Sequence, residues 1–241
     1  MLRRWRSCGP PDPGISPDVQ LSVVGFPFCI GLSQAVANEI PPGAFAEYEA
    51  LIARVDAFQA RVRERYPGQI ECRAGCSECC RKIPRLTLSP VEAFYLREQL
   101  RRLPPEEQSR LREASRTAMP PCPILANDAC LLHRNRPMLC RSYGYPTVSP
   151  QLLKIGQPGL NYCYKNFTGL GGPNALDQDC ILNVDRVTEE LWEVNRRFVA
   201  GRWGAIFDRR MAFTVQEVLQ GALDDWSPGK GRRDIGGRPD R

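Results

Sequence analysis

The chain is poor in histidine, in lysine and in uninterrupted hydrophobic sequence. A single histidine, His133, in 241 residues excludes any site that needs two or three imidazoles from one chain. No apolar run approaches the ~20 residues that span a bilayer, so no membrane partner is expected. Lysine supplies only four of the 33 basic residues, leaving arginine to carry the net charge of +6. Neither a long basic block nor a recognisable nucleic-acid module accompanies that charge, and a nucleic-acid partner is not expected. Paired catalytic carboxylates, a nucleophile–base pair and a phosphate loop are absent as motifs, so nothing here points positively to an enzyme. Met1–Arg6 is basic, but Ser7-Cys8-Gly9-Pro10-Pro11-Asp12-Pro13 follows where a secretory signal would be apolar. The expected location is cytoplasmic.

Cysteine is abundant instead. The eleven are Cys8, Cys29, Cys72, Cys76, Cys79, Cys80, Cys122, Cys130, Cys140, Cys163 and Cys180. An odd count with no route to an oxidising compartment argues against a disulfide framework. Clustered thiols in a reducing cytosol point to metal or redox chemistry.

Periodicity predicts a mostly α protein, with amphipathic helices around a loop-rich, metal-organised cysteine-cluster domain. Phe45, Tyr48, Leu51, Ile52, Val55, Phe58 and Val62 recur mostly at steps of three and four, giving a helix over 44–66 that stops at Pro67-Gly68. Ser89-Pro90-Val91-Glu92 combines a capping box with proline at the first helical position. The helix it opens places Ala93, Leu96, Leu100 and Leu103 on one face. A polar, exposed helix is expected over 106–118. Asp185 is expected to cap a fourth, with Val187, Leu191, Val194 and Phe198 inward. Thr214-Val215-Gln216-Glu217 is a second capping box, opening a short helix through Leu223. Residues 119–183 hold eight prolines and six glycines and are loop-rich, which calls for something beyond backbone ladders to hold them. The organisation read from these signals is a disordered arm at 1–20, an extended segment and helix at 21–66 with a short strand near Leu21–Ile30, and a cysteine-cluster metal-binding domain at 67–183. C-terminal helices at 184–226 pack on it, and a disordered tail closes the chain at 227–241.

Four cysteines fall within nine residues, Cys72-Arg73-Ala74-Gly75-Cys76-Ser77-Glu78-Cys79-Cys80. Ligands two to four residues apart reach one ion because a tight turn brings each sulfur to ~2.3 Å from it. The charged neighbours Arg73, Glu78, Arg81 and Lys82 count against the alternative of buried, unligated thiols. Adjacent Cys79 and Cys80 are expected to point in different directions and could serve different sites. Downstream, Cys122, Cys130, Cys140 and Cys163 are spaced by eight, ten and twenty-three residues, which alone carries no metal signature.

The order of these pieces is more specific. Cys72-x3-Cys76-x2-Cys79-Cys80, then Cys122-Pro123-x-Leu125, then Cys130-x-x-His133-x-x-Arg136-Pro137-x-x-Cys140-Arg141, and finally Cys163 resemble the CxxCxxCC family of zinc- or iron-chelating domains, the YkgJ-like cysteine-cluster proteins. The resemblance covers roughly 72–165. It implies that Cys72, Cys76, Cys79, Cys80, Cys122, Cys130, Cys140 and Cys163 bind a zinc or iron ion, in a structural or metal-handling role. Two departures stand out: His133 occupies a position often aromatic in the family, and Cys180 has no clear counterpart.

Eight thiolates can form two four-cysteine zinc sites, an iron–sulfur cluster plus a zinc, or one cluster with spare thiols. The Cys72, Cys76 and Cys79 spacing is that of radical-SAM enzymes, but Glu78 replaces the usual aromatic and no strand–helix alternation follows. Flagellin lysine N-methylases carry a similar cysteine domain, which keeps an iron–sulfur protein serving redox or methyl-transfer chemistry as an alternative. No glycine-rich S-adenosylmethionine motif accompanies it. A zinc-stabilised protein-interaction module is a further alternative. His133 is read as a packed residue rather than a ligand, Arg136 and Arg141 as either offsetting thiolate charge or lying on the surface, and Tyr143 and Tyr145 as covering the site. Cys8, Cys29 and Cys180, outside the eight, are expected to react with thiol reagents more readily than the rest.

Overall fold

The apolar residues recurring along 45–62 close into helix α1 (Ala46–Arg65) in the computed structural model, which describes residues 39–83, 85–117, 119–170 and 175–228. Glu47 and Glu49 lie in its first turn and Arg63 and Arg65 in its last, each favourably placed in the helix dipole. The arm at 1–20, the strand near 21–30, Cys8, Cys29 and the tail from 229 fall outside the described residues.

After α1 come the short α2 (Glu78–Lys82), β1 (Thr87–Leu88), α3 (Pro90–Leu100) and α4 (Pro105–Ala114). Both components of the Ser89/Glu92 capping box form at the start of α3, with Pro90 in its first turn. Helix α4 is polar and exposed apart from Leu111, which is fully buried. The far end of the chain supplies α7 (Val184–Trp203), β7 (Phe213–Thr214) and α8 (Val215–Leu219). Strand β7 pairs antiparallel with β1, and α8 starts in the Thr214/Glu217 capping box. It stops at Leu219 rather than Leu223, because the chain turns at Gly221 with φ +83°.

Two expected details change at α7. Its cap is Asn183, whose side chain accepts from the Arg186 backbone N–H; Asp185 sits inside the first turn. The Asp185 carboxylate is instead drawn across the chain to the Ser149 hydroxyl (2.6 Å) and the Gln151 N–H (2.9 Å). Phe198 is buried as expected, while Val187, Leu191 and Val194 are half-buried against the core.

The first hydrophobic cluster joins Tyr48, Leu51 and Val55 of α1 to Val91, Phe94 and Leu96 of α3, Val199 of α7 and Val215 and Val218 of α8. Phe94 packs its ring against Phe198, Trp203 and Trp226. Asn195, with no exposed surface, accepts from the Val91 N–H at 2.9 Å and donates to the Leu191 carbonyl at 2.8 Å, so the polar group between α7 and α3 is satisfied. A second cluster gathers Phe58, Val62 and Tyr66 from the other end of α1 with Tyr145, Phe167, Leu176 and Cys180.

Between these lie only short regular pieces. Strands β2 (Leu125–Ala126) and β3 (Ala129–Cys130) form a hairpin closed by Asn127 and Asp128, both at positive φ (47° and 60°), as a two-residue hairpin turn demands. A 3-10 turn (His133–Asn135) leads into α5 (Met138–Ser142). Strand β4 (Thr147–Val148), α6 (Pro150–Lys154), β5 (Leu160–Asn161) and β6 (Leu182–Asn183) follow. Strand β4 is central, antiparallel to β5 and parallel to β6. Among the described residues no helix is long and apolar enough to cross a membrane.

Candidate metal centre

The eight cysteines of the sequence pattern come from six places in this framework. Cys72 and Cys76 lie on the loop after α1, and Cys79 and Cys80 share α2. Cys122 precedes the hairpin, and its N–H donates to the Cys80 carbonyl at 2.8 Å, tying the two cysteine-bearing segments together. Cys130 ends β3, Cys140 sits within α5, and Cys163 follows β5 with its N–H on the Gly144 carbonyl at 3.1 Å. All eight are half-buried and none is in a disulfide. The thiols of Cys79 and Cys80 interact with one another on the short helix, so they do not point apart as an extended backbone would have made them.

Charge couples the thiols into two neighbourhoods. Cys140 faces Cys122, Cys79 and Cys130, and Cys122 in turn faces Cys130 and Cys79. Cys122, Cys130 and Cys140 all lean on the first hydrophobic cluster. Cys72 faces Cys163, Cys76 and Cys79 and leans on the second. Burial pushes the Cys122 thiol up to about 11 and raises those of Cys140, Cys130 and Cys72. The Cys79 thiol is raised first by its hydrogen bond with Cys80 and then by burial. Among the described residues, no three histidine, cysteine, aspartate or glutamate side chains stand at the spacing that holds a metal ion.

The surroundings of the thiols suit negative charge. The Arg136 Nε and the Tyr145 hydroxyl are buried with no hydrogen-bond partner among the described residues. Arg136 lies within electrostatic reach of Cys79, Cys130 and Cys140 and favours their thiolate forms; Tyr145 neighbours Cys72. An orphaned buried donor costs ~1–3 kcal/mol, and thiolate sulfur is an acceptor for it. These surroundings therefore suit thiolate sulfur, a donor that zinc and iron both accept. Arg141 is buried and its two Nη atoms donate to Asp56 of α1 and the Arg134 carbonyl, while its Nε, like that of Arg136, has no partner among the described residues. His133 sits in the 3-10 turn, its pKa lowered by burial and by Arg136, Arg141 and Arg63, which keeps the imidazole neutral. Tyr145 is buried near Cys72, whereas Tyr143 stays about half exposed (47%).

Several contributors carry no cysteine-like signal in the sequence. Asn166 donates from Nδ2 to the Cys72 sulfur at 3.4 Å and the Gly144 carbonyl at 2.6 Å, while its Oδ1 accepts from the Glu71 N–H. Gly144 has φ +94°, and a Cβ built there would stand 2.5 Å from the Cys72 sulfur, so only glycine fits this close approach. Glu78 on α2 pairs with Lys82, Tyr164 and Lys165, which hold its carboxyl down at about 2 and clip α2 to the Cys163 segment. Asn166, three residues past Cys163, was the one that position could have suggested.

Cys180 reverses its expectation. It is 2% exposed, packed in the second cluster with Phe58 and Tyr66, and is more deeply buried than any of the eight. Its lack of a motif partner therefore reflects an apolar packing role, and slow rather than fast reaction with thiol reagents follows.

No curated protein and no solved structure matches the chain. Residues 71–157, which include seven of the eight cysteines, match the CxxCxxCC family model, described as "Putative zinc- or iron-chelating domain".

Proposed function

We propose that residues 67–183 chelate zinc or iron through the thiolates of Cys72, Cys76, Cys79, Cys80, Cys122, Cys130, Cys140 and Cys163, and that the metal's main role is to hold this loop-rich segment in place. The observation that carries the reading is that Cys79, Cys122, Cys130 and Cys140, from separate stretches of chain, lie within electrostatic reach of one another and, for Cys79, Cys130 and Cys140, of Arg136, whose buried Nε has no partner among the described residues. Cys72, Cys76 and Cys163 make up the second group, with Cys80 beside Cys79 at the junction. When bound, the ion would supply tetrahedral thiolate cross-links between segments that share few backbone bonds. The chain's own residues would do the rest: Asn166 orients the Cys72 sulfur, Gly144 admits it, and Arg136 offsets thiolate charge.

Metal content of serine variants tests the ligand set. Cys76→Ser and Cys140→Ser should each lower zinc or iron per chain by elemental analysis, while Cys8→Ser leaves it unchanged; full metal in both ligand variants would refute the assignment. Anaerobic purification separates the two chemistries, since a brown protein with acid-labile sulfide is an iron–sulfur protein and a colourless zinc protein is not. Replacing Arg136 should weaken metal binding without altering its stoichiometry. Arg136→Met is expected to lower affinity by about tenfold or more in a chelator competition, with Arg136→Lys in between. Equal affinity in all three proteins would remove Arg136 from the site.

A further inference from the structure

We infer that the cleft between α5 and α7 is a binding site for a small uncharged molecule with an apolar body and a hydroxyl-like head. The cleft is a cavity of about 520 Å³, within the range of small-molecule sites. Leu139 and Tyr143 form one wall, and Val187 and Leu191 of α7 the other. Leu139 and Tyr143 are each about half exposed (50% and 47%), an unusual amount of large apolar surface to leave open around a cavity.

Charge selects the occupant. No lysine, arginine or histidine lines the cavity, so an anion would lose its water without a counter-charge. Glu92 is the one lining carboxylate, and its two oxygens already accept from the Ser89 N–H and hydroxyl and from the Met138 N–H. A cation would therefore find the carboxylate committed elsewhere. The remaining polar groups favour an uncharged head that both donates and accepts. Thr188 spends its hydroxyl proton on the Val184 carbonyl and keeps an acceptor oxygen, Asn161 uses one of its two amide N–H bonds on Pro158, and the hydroxyls of Tyr143 and Tyr162 can act in either sense. Cys163 also lines the cavity, so an occupant would rest against a member of the thiol cluster. The inference goes beyond metal chelation and holds whether or not a metal is bound.

The test uses 2-phenylethanol as probe, titrated into the purified full chain and followed by ligand-observed NMR, with metal content measured on the same sample. Saturable millimolar binding is expected, with 2-phenylethylamine and 3-phenylpropanoate each at least about tenfold weaker. Thr188→Trp and Thr87→Trp fill the cavity from two exposed positions and should each abolish the binding while metal content stays unchanged. No saturable binding of the alcohol, equal binding of either charged probe, or survival of binding in either tryptophan variant would overturn the site. Because metal content is read separately, loss of the chelation reading alone would leave these outcomes intact.

Discussion

Stripping the metal with a chelator under reducing conditions is expected to open residues 119–163 to protease while α1 and α7 remain helical. The helices have apolar faces in the two hydrophobic clusters and need no metal to bury them. The 119–163 stretch has a hairpin of two-residue strands, two five-residue helices and a 3-10 turn, none of which is stable alone. A structural zinc site contributes on the order of 10 kcal/mol, and here that would become local folding free energy. The pH dependence has opposite signs with and without metal. In the metal-free chain the buried Cys122 thiol, held up at about 11, is protonated at neutral pH. Its contribution to stability is full below the ordinary thiol value of 9.0 and lost as pH rises through about 11. With metal bound, protons compete with the ion, so acidification should release metal before it melts the helices. Limited proteolysis beside far-UV circular dichroism reads both halves of this expectation. Unchanged cleavage across 119–163 after verified metal removal would show that the ion is peripheral to the fold.

Removing the Glu92 side chain is expected to destabilise the protein by about 3 kcal/mol or more, an unusual cost for a residue on a helix's first turn. One oxygen caps α3 by accepting from the Ser89 N–H (3.0 Å) and hydroxyl (2.7 Å); the other accepts from the Met138 N–H (2.9 Å) at the start of α5. Glu92→Ala strands the buried Met138 N–H and the partly buried Ser89 N–H, each worth ~1–3 kcal/mol. Because α5 carries Cys140, the same change should loosen the thiol cluster. Glu92→Gln keeps one acceptor oxygen and should fall between the two. Burial raises the Glu92 carboxyl above its ordinary value of 4.5. The stability it confers is therefore full below that value and declines as pH rises through the raised one. Glutamine does not titrate, so in urea unfolding the gap between wild type and Glu92→Gln should narrow from about pH 4 to pH 8. A gap that widened over this interval would contradict the burial argument.

What could be read from sequence was local. The 3.6-residue period of α1 and the two capping boxes are set by residues within a turn or two of each other, and they form as expected. The nine-residue cysteine run is equally local. Contacts between distant segments were not legible. Asp185 and Asn183 are both competent caps two residues apart, and the choice is made by Ser149 and Gln151, 34 to 36 residues away. The grouping of Cys79 with Cys122, Cys130 and Cys140 arises only once α5 and the hairpin are laid against the first cluster. Cys180 is indistinguishable from an exposed thiol in sequence, because its burial is provided by α1 and Phe167.

Helix α1 also has a mechanical consequence. Its 20 residues make a rod of about 30 Å, with one half embedded in each hydrophobic cluster. The cysteines that lean on the first cluster and the one that leans on the second are thus mounted on a common stiff strut. Unfolding of α1 withdraws buried side chains from both clusters at once, which couples the stability of the two halves.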